Sequence, residues 1–243
     1  MTIKHAMVLA AGLGTRMRPI TDTTPKPLVK IAGRPMIDYV LDVLVAAGVE
    51  TIVVNVHHHA DQMLAHLATR KDAEILISDE QAQLMNSGGG LAKGLKLLPS
   101  GPVLVMNADL FWIGETPGKA TNLQKLAALF DAENMDMALL CVDIDHTTGH
   151  NGKKDFNLAD DGHLTRYNEG EPRPVVYAGA IAMDTRLLDD APDDAFNLNI
   201  YFDRAIAQNR LFGLSLDGEW ITVGTPDAIE DAEQTIASRA FQA

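Results

Sequence analysis

The sequence holds a single cysteine, Cys141. No internal disulfide can form, and the composition predicts a reducing, cytoplasmic setting. Positive charge is also scarce: 20 Lys and Arg face 33 Asp and Glu, a formal net charge of −13. Such acidity excludes nucleic acid and anionic membrane surfaces as expected partners, because both require an excess of cations. No apolar run is long enough to span a bilayer. The first one, Ala6 to Ala11, is ended by Gly12 and Gly14, so neither a signal peptide nor an anchor is expected. Linkers, heptads and low-complexity tracts are missing, as are the hexapeptide repeats of a left-handed β-helix, so no appended domain of that type is expected. What remains is ordinary for a globular chain of 243 residues, 47% apolar and 22% charged, enough to bury one core.

Short apolar β-type runs alternate with amphipathic stretches, which predicts an α/β fold with a mixed, mostly parallel central sheet flanked by helices. Strands are expected at 6–9, 51–56, 74–77 and 102–107, and helices at 36–47, 60–69 and 89–98. In the second half, 136–144, 164–167 and 175–183 are β-type runs. Gly149 to Gly162 reads as a loop-rich insertion of the kind that closes over ligands. A helix at 198–208, a strand at 211–216 and a final helix from Pro226 to about Ser238 complete the pattern. Ligands of such sheets bind beyond the carboxyl ends of the strands, where Gly12, His57, Ser78 and Asp109 fall.

The densest signal follows the first strand: Leu9-Ala10-Ala11-Gly12-Leu13-Gly14-Thr15-Arg16-Met17-Arg18. Glycines let backbone N–H groups approach phosphate oxygens, and Arg16 adds forked donors. Met17 stands where a dinucleotide fingerprint needs its third glycine, and no Gly-Lys-Ser/Thr follows, so neither that fingerprint nor a Walker loop is present. Lys26 sits between Pro25 and Pro27, which fix the backbone around it. With Asp109 at a later strand end, amide donors, cations and a metal-binding carboxylate are all available for phosphoryl chemistry.

These residues, with Ile31-Ala32-Gly33-Arg34-Pro35, Ser87-Gly88-Gly89-Gly90, Val105-Met106-Asn107-Ala108-Asp109, Tyr177-Ala178-Gly179 and Trp220-Ile221-Thr222-Val223-Gly224, resemble the signature of the sugar-1-phosphate nucleotidyltransferases. The resemblance covers essentially the whole chain. The short length, the triple glycine and Lys154-Asp155-Phe156-Asn157-Leu158 look most like the compact uridylyltransferase branch that acts on N-acetylmuramic acid 1-phosphate in peptidoglycan recycling. It implies a Rossmann-like nucleotide-diphospho-sugar transferase fold in one domain, 1–243, with a nucleotide-binding half to about 110 and a sugar-binding half after it. The reaction implied joins a nucleoside triphosphate and a sugar 1-phosphate, giving a nucleotide sugar and pyrophosphate.

By the same resemblance Arg16, Lys26 and Asp109 are catalytic, and Asp109 binds Mg²⁺. Leu9, Ala11, Gly12, Gly14, Thr15, Gln83 and Gly88 hold the nucleotide; Asn107, Asp155, Glu169, Tyr177 and Gly179 hold the sugar. Two places depart from the pattern. Thr222 stands where many relatives carry a second metal-binding aspartate, and Glu169 is followed by Gly170 where larger relatives continue Glu-Lys-Pro. Thr222 also supports an alternative of another class, a non-catalytic nucleotide-sugar sensor. Mannose-1-phosphate guanylyltransferase and glucose-1-phosphate thymidylyl- or uridylyltransferase remain open as substrate choices, and monomer and homodimer as assembly states. His57-His58-His59 reads as a loop into a helix, since consecutive side chains diverge, and the acidic run 189–194 as a solvated turn.

Overall fold

A computed structural model describes residues 2–240. The strands are β1 (His5–Leu9), β2 (Lys30–Ile31), β3 (Arg34–Pro35), β4 (Thr51–Val56), β5 (Glu74–Asp79), β6 (Pro102–Asn107) and β7 (Leu110–Ile113) in the first half. The second half adds β8 (Met137–Val142), β9 (Thr147–Thr148), β10 (Phe156–Leu158), β11 (Leu164–Arg166), β12 (Pro174–Asp184), β13 (Leu211–Ser215) and β14 (Glu219–Thr222). The helices are α1 (Met36–Ala46), α2 (Ala60–Leu67), α3 (Asn86–Leu95), α4 (Asn122–Leu129), α5 (Asn199–Ala207) and α6 (Ala228–Ala240). None is long and apolar enough to cross a membrane among the described residues.

β5, β4, β1 and β6 form a parallel run, and β12 then pairs antiparallel with β6. β8 follows antiparallel to β12, and β13 parallel to β8, so both halves of the chain share one sheet. The hairpin of β10 and β11 extends the amino-terminal part of β12. Because side chains alternate across a strand, one sequence run feeds two cores. Ala6 and Val8 pack under α1, α2 and α4, whereas Met7 faces α3 in the core that also takes α5. A third cluster, of Met17, Val29, Ile31, Phe111, Ile221 and Val223, lies between the opening loop, the small sheet β7-β14-β9 and α6. Met17, in the place of a third glycine, is a fully buried anchor between two arginines.

Several expectations need correction. α3 begins at Asn86, three residues before the expected start, and the triple glycine lies inside it. Gly90 is glycine because of close approach: a Cβ there would stand 2.6 Å from Glu80 Oε1 and 2.8 Å from Asn55 Nδ2. The expected loop 149–162 contains β10, held by β11 and β12. α4 lies outside the expected helices, although Thr121 and Gln124 form a reciprocal capping box that the sequence displays as Thr-x-x-Gln. The last helix starts at Ala228 instead of Pro226, and the β7-β14-β9 sheet is likewise additional to the expected elements.

Candidate active site

The carboxyl ends of β1, β4, β5 and β6 open into a cleft of about 560 Å³ lined by Leu9 to Gly12, Lys26, Asn55, Glu80, Asn107 and Asp109. A second hollow of about 380 Å³ adjoins it, sharing Gly12, Lys26, Leu84 and Asp109 and adding Gly14, Thr15, Arg16 and Gly224. Gly14 takes the left-handed conformation (φ +63°), and a Cβ there would meet Thr21 and Lys26 at 2.9 and 3.0 Å. The backbone N–H groups of residues 11 to 14 donate to no group among the described residues, which leaves them for an anion. The Thr21 hydroxyl donates to the Gly14 carbonyl at 2.8 Å and holds the turn closed.

Lys26 opens a short turn, Lys26–Leu28, pinned by Leu28 N–H donating to the Pro25 carbonyl at 2.9 Å. Its side chain is only 10% exposed, and Nζ meets Asp109 Oδ2 at 2.7 Å. A buried ammonium without a partner would be costly, so Asp109 neutralises it in the free chain. Arg16 lies against Gly224 and has no ion pair among the described residues; Arg18 is instead tied to Asp22 at 3.1 Å. Arg16 is therefore the free fork at the mouth of the second hollow.

Val223 N–H donates to the Asp109 carbonyl at 3.4 Å, and Thr222, which carries no carboxylate, pairs with Leu110 in the β14–β7 ladder. Among the described residues no three His, Cys, Asp or Glu side chains cluster as a metal cage. One carboxylate beside a phosphate-sized hollow suits a cation that keeps water and phosphate as its other ligands, as Mg²⁺ does. The expected divergence of the three histidines holds only for His57, whose Nδ1 meets the Glu80 carbonyl at 2.8 Å; His58 Nε2 meets the Thr21 carbonyl at 2.9 Å, and its ring lies 4.0 Å, centroid to centroid, from that of His59, which caps α2 with φ +51°.

The expected nucleobase residues lie differently. Gly88 is buried in α3, its N–H donates to the Phe196 carbonyl at 2.9 Å, and Gly89 N–H shares that acceptor at 3.3 Å. Gln83 is exposed and reaches Asp194 Oδ1 at 3.1 Å. Neither lines the cleft, whose wall here is Leu84, Asn86, Ser87 and Ala195. Of the sugar residues, Asn107 lines the cleft, while Asp155, Glu169, Tyr177 and Gly179 do not. Asp155 Oδ2 accepts the Tyr177 N–H at 3.0 Å, and Gly179 sits against Leu110 within β12. Burial pushes the Tyr177 phenol up from its ordinary value, with smaller contributions from Cys141, Asp109 and Asp155. It stays a neutral hydrogen-bond donor near Asp109. Glu169 is exposed in the turn before β12.

Sequence reasoning passed over Asn55 and Glu80. Asn55 Oδ1 accepts the Ala10 N–H at 2.5 Å, and Asn55 Nδ2 donates to Glu80 Oε1 at 2.6 Å. Glu80 Oε2 accepts the Met85 N–H at 3.0 Å. The available signal was an asparagine inside the otherwise apolar run Ile52 to Val56.

Comparison with known proteins agrees with this geometry. The pattern of the family described as Nucleotidyl transferase matches residues 5–155. The chain is 43% identical over 238 residues to N-acetylmuramate alpha-1-phosphate uridylyltransferase of Caulobacter vibrioides, covering 96% of this chain and 97% of that one. It is 33% identical to the protein of the same name from Neisseria meningitidis serogroup B, over 94% and 96% of the two chains. Its fold superposes on HddC from Yersinia pseudotuberculosis complexed with GMP-PN with a TM-score of 0.76 at 19% identity, covering 96% of this chain and all of that one. An anion-ready loop, a buried lysine on a lone carboxylate and near full-length likeness converge on one conclusion: the chain belongs to the nucleotidyl transferase family of enzymes.

Proposed function

We propose that this chain joins UTP and N-acetylmuramic acid 1-phosphate to give UDP-N-acetylmuramic acid and pyrophosphate, a cytoplasmic step of peptidoglycan recycling. The observation that carries this reading is the meeting of open amides, Arg16, Lys26 and Asp109 around two joined hollows. The sugar and the base follow from the 43% identical relative, which matches this chain nearly end to end. In this account a phosphate oxygen of the sugar 1-phosphate attacks the α-phosphorus of UTP, and the bond from that phosphorus to the bridging oxygen of the β-phosphate breaks. No general base is needed, because a phosphate monoester with a second pKa of about 6 is already mostly dianionic at neutral pH. Catalysis is positioning and charge neutralisation.

The amides of residues 11–14 cradle the triphosphate, Arg16 steadies the departing pyrophosphate, and Lys26 transfers from Asp109 to the reacting phosphates. Asp109, with phosphate oxygens and water, would hold Mg²⁺, which when bound supplies further neutralisation of phosphate charge. Asn107 meets the sugar at the cleft wall, while Tyr177, Gly179, Asp155 and Glu169 stand outside the cleft lining, with Asp155 holding the Tyr177 amide. The sugar's lactyl carboxylate needs a cation. Arg173 is already paired with Asp160 at 2.6 Å; Lys153 and Lys154 have no carboxylate partner among the described residues, but Lys153 is exposed, whereas Lys154 is half-buried over the Tyr167 ring at 5.1 Å. Lys154 is therefore the assigned partner.

The test is pyrophosphate release in Mg²⁺ from UTP, CTP, GTP and dTTP, each against N-acetylmuramic acid, mannose and glucose 1-phosphates. UTP with N-acetylmuramic acid 1-phosphate is expected to give the highest kcat/KM. A better pair would overturn the substrate assignment, and nucleotide binding without any pyrophosphate would favour a sensor, the role that Thr222 suggests.

A further inference from the structure

Glu80 exposes no surface, is a carboxylate in an otherwise closed wall, and faces no cation within hydrogen-bonding distance among the described residues. Charge buried in this way is costly unless every lone pair in use has a donor. Its donors are Asn55 Nδ2 and the Met85 N–H, and Asn55 in turn accepts from Ala10. A bridge of two side chains thus spans from the end of β1, across β4, to the start of α3. Gly90 leaves the room that the bridge occupies.

We infer that Glu80 is a positioning residue for the nucleotide, fixing through Asn55 and Met85 the separation of the two cleft walls, Ala10-Ala11 and Leu84 to Ser87. This deepens the reading of the cleft as a nucleotide site and rests on it. The reason a carboxylate is required is donor and acceptor parity. The bridge ends on two backbone N–H groups that point inward and can only donate. Two carboxamides cannot satisfy both ends, because each offers one acceptor and one donor arm, and two donors must then confront each other somewhere along the line. One acceptor-only side chain removes the conflict, and it does so at either of the two positions. The protein places it at 80, next to Met85, and leaves Asn55 to turn its oxygen toward Ala10. The wall is then rigid before any ligand arrives, which reduces what binding must order.

Donor and acceptor parity entails a reciprocal rescue that simple loss of packing does not. Glu80→Gln is nearly isosteric but sets two donors face to face, and the KM for UTP should rise at least ~10-fold, the size of a lost charged hydrogen bond. The KM for the sugar phosphate should be unchanged, with assays run well below the Tm. Asn55→Asp sets two carboxylates together with no donor between them and should weaken UTP in the same direction at pH 8. The double variant N55D/E80Q restores the parity: the carboxylate then at position 55 accepts from the Ala10 N–H and from the carboxamide at position 80, whose oxygen accepts from the Met85 N–H. Its KM for UTP should return to within about threefold of the wild type. If E80Q does not fold, a folded and active double variant still upholds the bridge, and a double variant that also fails overturns it. An E80Q enzyme with wild-type KM, or a double variant no better than its single parents, would overturn it as well. Wild-type protein that turns over none of the four triphosphates would refute the proposed function instead, so the two failures are told apart.

Discussion

Two loops leave the same end of one sheet, from parallel strands with β4 between them, and their backbone amides have opposite fates. After β1, the N–H groups of residues 11–14 stay open, and the side chains nearby are cations. After β5, the amides are consumed internally: Met85 by Glu80, Ser87 by Asn86, and Gly88 and Gly89 by Phe196. Glycines follow both strands, those of the second inside α3, yet only the first loop leaves its amides open. The glycines of the second admit the Phe196 ring and the Glu80 carboxylate against α3. A glycine therefore signals close approach, and only the fate of the neighbouring N–H groups says whether a ligand or the protein makes it.

The comparison breaks most directly at the first loop. Lys26→Ala and Asp109→Ala should each lower kcat at least ~100-fold, as expected when one preorganised electrostatic group is removed. The two variants should differ in a second measurement. Lys26 holds an Asp109 oxygen in the free chain, so K26A without nucleotide should bind Mn²⁺ more tightly than wild type, and D109A should not, as read by calorimetry. Gly90→Ala probes the second loop. Overpacking against Glu80 and Asn55 should cost about 1–3 kcal/mol of stability, measured by denaturant unfolding, and should leave the amides of residues 11–14 in place. Lys154→Ala sharpens the sugar side: KM for N-acetylmuramic acid 1-phosphate should rise roughly 10-fold, as for a lost charged contact, with KM for UTP unchanged.

A smaller effect lies at the far end of β12, away from both loops. Arg186 holds the Asp184 carboxyl below its ordinary value by hydrogen bonding, outweighing partial burial. A lowered native value means that this contribution to stability is present above the unfolded pKa of about 3.9 and is lost as pH falls through the native value. Asp184→Asn should therefore reduce the steepness of acid unfolding below about pH 4, while leaving the activity at neutral pH unaltered.

The first loop was readable because its chemistry is local: glycines, Arg16 and the proline-flanked Lys26 lie within eighteen residues of β1 in the sequence. The parallel strands were readable as positions, since Val53-Val54 and Val103 to Met106 announce buried strands. The second loop was not, because its logic is nonlocal. Glu80 finds its partner 25 residues away in Asn55, and Gly88 finds Phe196 across the sheet's end. Nothing in Ser87-Gly88-Gly89-Gly90 distinguishes a flexible loop from glycines chosen to let other side chains in. Glu169 and Asp155 illustrate the same limit: both are polar residues near sugar-side strands, but one is exposed and the other is tied to the Tyr177 amide.

In the proposed reaction the opening loop, Arg16, Lys26 and Asp109 gather the triphosphate for attack by a second phosphate. A crystal structure of the protein with Mg²⁺ and a non-hydrolysable UTP analogue tests it most directly. The β- and γ-phosphate oxygens should lie on the amides of residues 11–14 and on Arg16, with Lys26 moved from Asp109 to the α-phosphate. A triphosphate seated away from these groups, with the Lys26–Asp109 pair intact, would contradict it.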